Sequence, residues 1–325
     1  MLLHEQLGIH QVRLTLPFRL NHVNGYAIKG SAGWDLIDTG LSQESTYEEW
    51  LQFFKEQSIK PADIKGIYVT HFHPDHYGCS GWLQKYSNAP VYIGTIDAGI
   101  VNRYWKNGDY ILRAMTGLFK DNGMPEELIK KAVASLAKMI PYTHPPADMI
   151  TLQAGQTISL GDYEYQVIIT PGHSDGHICF YNQDHAVLIS GDHLLPEITS
   201  CISRWPQPEM ELNPLDNFLR SIDKIRSLNC KLVLPAHGKP FTNTEERIRQ
   251  LENHHKERLA LVKNSTAGGA NVYQVMRQVF SQELSDHEIR FAFTETLAHL
   301  VYLMYKGELM TVSKNGIDIY RQCGA

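Results

Sequence analysis

The 325-residue chain is 43% hydrophobic and 20% charged, enough apolar side chain for a sizeable core, which excludes a disordered, fibrous or low-complexity protein. A formal net charge of −5 excludes a polyelectrolyte that holds nucleic acid mainly through phosphate contacts, and five cysteines without a C-x-x-C pair exclude a disulfide framework or a cysteine metal knuckle. The length exceeds one typical domain and predicts one large domain with an appendage.

The N-terminal stretch places His4, Glu5 and Gln6 where a secretion signal needs an unbroken apolar run, and no window reaches the length of a membrane span. The expectation is a cytoplasmic protein with reduced thiols and no membrane partner. Val12, Leu14 and Leu16 alternate with polar residues, the chain breaks at Pro17, and Tyr26–Lys29 and Trp34–Asp38 resume as short strands. Tyr47, Trp50, Leu51 and Phe54 then fall at helical spacing, predicting a helix over 45–57 that feeds a buried strand at Ile67–Thr70. A further helix and Val91–Gly94 continue a β-α-β rhythm.

Residues 95–149 read as a helical insertion rich in aromatics, a candidate lid whose rings could line an apolar pocket. Strand signals return at Ile150–Leu152, Thr157–Leu160, Tyr163–Thr170, Ile178–Tyr181, Ala186–Ser190 and Lys231–Pro235, with a helix over 214–227. The two halves share a tempo that suits two facing sheets. Beyond Phe241, helices are predicted over 244–263, 272–280 and 287–305, and Asn315-Gly316 between apolar runs predicts a closing hairpin. Three helices and a hairpin have the outline of a winged helix. The expected division is therefore a catalytic domain over 1–243, including the insertion, and a helical, winged-helix-like domain over 244–325.

Five separated segments each end a predicted strand with metal-ligand residue types: Asp38 in LIDTG, His71, His73, Asp75 and His76 in THFHPDH, His173 in TPGHSDGH, Asp192 in SGDHLL and His237 in PAHG. Four such residues within six positions on one turn are hard to explain structurally, because burying several ionisable groups together is costly unless something neutralises them. A metal supplies that compensation. Imidazole and carboxylate donors suit zinc, with manganese or iron as alternatives. Leaving Asp38 aside, the other seven exceed one tetrahedral site. Two ions use them all, with His71, His73 and His173 on the first, Asp75, His76 and His237 on the second, and Asp192 bridging.

These motifs, in this order, resemble those of the metallo-β-lactamase superfamily, in its di-metal hydrolase branch that includes glyoxalase II. The likeness spans Leu14 to Phe241. It implies an α/β fold, an αββα sandwich with the metals at one edge between two sheets, and the same division of ligands. It also implies that Asp38 supports the metal-bearing loops and that the catalytic Asp75 both ligates an ion and handles the nucleophile's proton. Two close cations lower the pKa of a shared water and stabilise an oxyanion, so the expected reaction is attack by metal-bound hydroxide on an ester, thioester or lactone of a small-molecule substrate.

Some departures narrow the reading. The tyrosine that acyl-homoserine lactonases carry three residues after the bridging aspartate is Leu195 here, and the hairpin-ended appendage differs from the glutathione-binding helices of glyoxalase II. Two alternatives stand beside the hydrolase: a metal-dependent phosphodiesterase or ribonuclease, and a mononuclear iron persulfide dioxygenase. In residues 285–325 Asp286, Glu288, Glu295, Glu308 and Asp318 outnumber Arg290, Lys306, Lys314 and Arg321, so a nucleic-acid partner is not expected. The apolar helix over 287–305 suits docking on the main domain or homodimer formation. No substrate-binding residue is assigned. His193 is expected to be structural or solvent-facing, His22, Asn24 and His177 to sit on loops near the site, His254 and His255 on the surface, and Cys79 and Cys179 as buried thiols.

Overall fold

The computed structural model of the protein describes residues 3–206 and 213–323. Thirteen strands form three sheets among these residues. The first sheet has six strands in sequential order: β1 (Ile9–Thr15), β2 (His22–Gly30), β3 (Gly33–Ile37), β4 (Ile64–Val69), β5 (Val91–Gly94) and β6 (Met149–Leu152). β7 (Thr157–Leu160), β8 (Tyr163–Ile169), β9 (Ile178–Asn182), β10 (Val187–Gly191) and β11 (Leu232–Pro235) form the second, ordered β11-β10-β9-β8-β7. β12 (Leu309–Lys314) and β13 (Ile317–Gln322) make the closing hairpin.

The helices, in chain order, are α1 (Leu3–Gln6), α2 (Glu44–Glu56), α3 (Pro74–Tyr77), α4 (Ser80–Ser87), α5 (Thr95–Tyr104), α6 (Gly108–Asp121), α7 (Glu126–Ala137), α8 (Pro214–Ser227), α9 (Thr244–Asn264), α10 (Val272–Val279) and α11 (Glu288–Tyr305). Strands joined through helices run parallel, β3-β4-β5-β6 and β10-β11, whereas those joined by turns run antiparallel. This follows from reach, since a parallel return needs a crossover long enough to hold a helix.

Strand sequence tracks position in the sheet. Edge strand β1 buries Ile9, Val12 and Leu14 and exposes Gln11, Arg13 and Thr15, while β9, β10 and β11 are buried throughout, as strands covered on both faces must be. Tyr26, Ile28, Tyr68, Phe180 and Ile189 pack in the layer between the two large sheets. The outer face of the six-stranded sheet buries Trp34, Leu36 and Ile67 against Trp50 and Phe54 of α2. α8 and α9 cover the opposite face, with Phe218, Ile222 and Leu251 on Cys179, Leu188 and Val233. Helices therefore flank paired sheets.

The helical insertion is α5, α6 and α7, and it shares one apolar cluster with the C-terminal helices. Phe119 of α6 meets Phe293 of α11 edge-on with centroids 5.3 Å apart, and truncating either ring costs about 3–5 kcal/mol. In the hairpin, Asn315 and Gly316 both take positive φ, 54° and 76°, the turn that matches the twist of paired strands. Tyr320 of β13 bridges to Ala270, which ties the hairpin to the α9–α10 connection.

Candidate metal centre

The C-terminal ends of β3, β4, β8, β10 and β11 open at one edge of the sandwich, and each delivers polar side chains there. Asp38 follows β3, His71, His73, Asp75 and His76 follow β4, His173 follows β8, Asp192 follows β10 and His237 follows β11. The structure brings all of them together. His71 Nε2 lies 2.9 Å from His73 Nδ1, which is 2.9 Å from His173 Nε2, and the two Nε2 atoms are 3.2 Å apart. Beside this trio, His76 Nε2 and His237 Nε2 each stand 3.6 Å from Asp75 Oδ2. Asp192 faces both groups, with Oδ2 3.4 Å from His173 and Oδ1 3.5 Å from His76 and 3.3 Å from His237.

The hydrogen bonds behind these side chains set which ring nitrogens carry lone pairs. His173 Nδ1 lies 2.9 Å from the Cys201 carbonyl and His237 Nδ1 2.8 Å from the His22 carbonyl, and a carbonyl can only accept. His76 Nδ1 donates to Asp38 Oδ2 at 2.8 Å. Thr70 Oγ1 donates to Asp38, so it accepts from His71 Nδ1 at 3.0 Å. Each of these imidazoles thus carries its hydrogen-bonded proton on Nδ1 and turns Nε2 inward, the atom that can ligate a cation once it holds no proton. His76 Nε2, His237 Nε2 and Asp192 Oδ1 are buried without a hydrogen-bond partner among the described residues. Inward imidazole nitrogens and carboxylates gathered this closely are the donor set that a pair of cations takes. The sets His71, His73, His173 and Asp75, His76, His237 each keep their donor atoms within 4.8 Å of one another.

Electrostatics point the same way. Burial, together with neighbouring histidines, pushes His71 well below the ordinary imidazole range. Burial also lowers His76 and His237, but the carboxylates win: Asp75, Asp38 and Asp192 hold His76 well above its usual value, and Asp192 and Asp75 raise His237 to about 10. Burial raises Asp75 and Asp192, yet the histidines beside them hold both below the carboxylate range. The second group demands positive charge, which a cation or protons on its histidines can supply.

The supporting residues are as informative. Asp38 takes a left-handed φ of 56°, which an aspartate tolerates, and its carboxylate accepts from Thr70 N at 2.8 Å as well as from Thr70 Oγ1 and His76. It therefore orients one histidine in each set. Gly191 has φ +50°, and a Cβ there would come within 2.8 Å of His177 Nε2 and 2.9 Å of Thr70. His177 is buried and accepts from Asp192 N, which aims the Asp192 loop. His22 and Asn24 lie in β2 rather than on a loop, and Asn24 is buried and bonds the carbonyls of Pro235, Ala236 and Gly238 around His237. His193 is buried against Phe218. Cys79 and Cys179 are buried thiols, and burial pushes Cys179 up to about 12. His255 departs from its expected surface position: it is buried with Nδ1 3.3 Å from His299 of α11, because α11 closes over α9.

Sequence reasoning missed Asp97. This residue of α5 is fully buried, and its carboxylate accepts from Phe72 N at 2.9 Å, Ser174 Oγ at 2.7 Å and Gly176 N at 2.7 Å. It joins the His71–His73 turn to the His173 turn. Its signal was an acid on an apolar stripe, since Val101 and Tyr104, four and seven residues on, are also buried.

The seven-residue cluster opens into a cavity of about 610 Å³. Its wall comes from the β1–β2 connection (Phe18, Leu20), the insertion (Trp105, Leu136, Met139), the segment 195–205 and the start of α11. The insertion thus supplies wall, although Tyr104 and Phe119 are core residues.

Residues 19–237 match the model of the metallo-beta-lactamase superfamily, and residues 259–323 match that of a metallo-beta-lactamase-like C-terminal domain. The chain belongs to the metallo-beta-lactamase superfamily. By class it is a metal-dependent hydrolase with the αββα fold. Among similar chains, a probable metallo-hydrolase of Bacillus subtilis is 25% identical over 95% of this chain and 96% of its own. An atrochrysone carboxyl ACP thioesterase of Aspergillus fumigatus is 29% identical over 33% of this chain and 31% of its own. A metallo-beta-lactamase family protein from Thermus thermophilus superposes with a TM-score of 0.86 at 29% identity, covering 97% of this chain and 99% of that one. TTHA1623 in a di-iron-bound form gives 0.50 at 25% identity, covering 73% of this chain and 97% of that one. Among the described residues no helix is long and apolar enough to cross a membrane.

Proposed function

We propose that the protein is a di-metal hydrolase, with zinc in both sites, that cleaves a small ester, thioester or lactone with a largely apolar acyl group. The reading rests on one observation, that inward imidazole nitrogens and carboxylates converge at the floor of a cavity with an apolar wall. His71, His73 and His173 would hold one ion, Asp75, His76 and His237 the other, and Asp192 would bridge. Bound there, two cations supply water activation at neutral pH and charge for a developing oxyanion.

This chain's own residues do the rest. Asp75 is the carboxylate that keeps 22% of its side chain exposed towards the cavity, and it would take the attacking water's proton and pass it to the leaving group. Trp105, Leu136 and Met139 pack the acyl group and exclude bulk water. Residues 1–243 would form the catalytic unit and 244–325 the unit that completes the cavity wall. Against the nuclease reading stands that apolar wall; thioesters gain support from the named thioesterase relative.

The test is elemental analysis of protein purified without added metal, alongside hydrolysis of matched thioester, lactone and phosphodiester substrates. About two zinc per chain and turnover of acyl substrates are expected. His73→Ala should keep its circular dichroism and lose activity by about 100-fold or more. Full activity in His73→Ala sinks the assignment, and about one iron per chain with no hydrolysis moves it to the oxygenase reading.

A further inference from the structure

The cavity wall contains a buried cation that no carboxylate answers among the described residues. Arg290, in the first turn of α11, is 4% exposed and lines the cavity together with His73, His173 and Trp205. Its guanidinium carbon lies 4.2 Å from the ring centroid of Phe291 and 5.8 Å from that of Trp205, so aromatic rings flank it. Among the described residues it makes no ion pair, and Nε is buried without a hydrogen-bond partner. The other arginine of the wall differs. Arg19 is exposed at the mouth and paired with Glu288 at 3.4 Å. Burial lowers Arg290 to about 10, which still leaves it charged at neutral pH.

A buried guanidinium without a counter-charge is costly, and the cost is recovered when an anion arrives. Arginine's planar fork suits the two oxygens of a carboxylate or phosphate. Trp205 fixes the geometry. Its ring centroid is 5.7 Å from that of His73 and 5.8 Å from the Arg290 guanidinium, so one indole separates the cation from the proposed metal centre. Phe18, Trp105, Leu136, Met139 and Ile198 supply the rest of an apolar lining.

Building on the hydrolase reading, we propose that Arg290 is an anion subsite, and that the substrate is an apolar acyl compound carrying a carboxylate or phosphate held there while its scissile bond lies over the seven-residue cluster. The C-terminal region would then select the substrate, because Arg290 is on α11.

The test uses metal-loaded full-length protein and follows tryptophan fluorescence, to which Trp105 and Trp205 contribute from the cavity wall. Hexanoate, hexyl phosphate and hexanol are titrated into wild type, Arg290→Met and Arg290→Lys. At least one anion should bind wild type about tenfold or more tighter than hexanol does, a gap of about 1.4 kcal/mol. The gap should close in Arg290→Met and persist in part in Arg290→Lys. The stronger of hexanoate and hexyl phosphate names the group. Equal affinity of anions and hexanol for wild type overturns the proposal, a result that stands even if Arg290→Met does not fold. A preference undiminished in Arg290→Met also overturns it, since the anion then sits on the metals. Binding is read without turnover, so an Arg290-dependent anion site in a protein that hydrolyses nothing would refute the hydrolase reading and leave the subsite intact.

Discussion

Asp97→Ala removes a side chain that touches no proposed ligand and should still weaken the metal centre. Among the described residues its carboxylate is the acceptor that meets Phe72 N and Gly176 N, and it also receives Ser174 Oγ. The hydroxyl can rotate away, but the two main-chain donors cannot. Leaving each buried and unpaired costs about 1–3 kcal/mol, so the metal-free protein should lose about 3 kcal/mol of stability. The bonds that disappear hold the turn carrying His71 and His73 against the turn carrying His173, and losing such support weakens metal binding by about 10–100-fold. Urea unfolding of metal-free protein measures the first quantity, and competition with a chromophoric chelator measures the second. Asp97→Asn should fall between, because the amide can still accept from Gly176 but presents N–H to Phe72. A stability loss below about 0.5 kcal/mol with unchanged affinity would refute this reasoning.

Asp38→Ala removes the acceptor for His76 Nδ1 and for Thr70, so metal affinity should fall by about 10–100-fold; an unchanged affinity in the same chelator assay would count against its orienting role. Asp35→Asn concerns stability alone. Burial raises Asp35 to about 6, opposed by its bond from Gly161 N, whereas the unfolded carboxyl titrates near 4. The folded state therefore binds the proton more tightly, and stability falls as pH rises from about 4 to about 6, at roughly 1.4 kcal/mol per unit at most. Asparagine keeps the Gly161 bond and carries no charge, so the variant should be about 1–2 kcal/mol more stable than wild type at about pH 8 and no more stable at about pH 4. Parallel pH profiles for the two proteins would remove the argument.

Several features were legible before any fold was known because they are local. The β-α-β rhythm, the helical insertion and the hairpin over Asn315-Gly316 follow from periodicities and turn chemistry that span a few residues. The metal-type donors were also visible, since four of them crowd one turn and the others end recognisable strands. The family resemblance rested on those same segments. What local pattern could not convey was the partner of each side chain.

Asp97 reads in sequence as an ordinary acid in the first turn of a helix, a place where carboxylates are common. Only packing turns it towards two loops, one of them 77 residues away. His255 reads as one of a surface pair, yet α11 folds over it and brings His299 to 3.3 Å. Arg290 counts in sequence merely as one basic residue in a slightly acidic tail, and its significance comes from Trp205, Phe291 and the lack of a carboxylate partner among the described residues. Sequence by itself determined which groups are present, their order and their local secondary structure, because backbone propensity and hydrophobic period act over a turn or a strand pair. The tertiary structure alone decided which polar groups lose water, which of those find partners, and which are left facing a cavity, because desolvation and pairing depend on residues that the chain brings together from far apart.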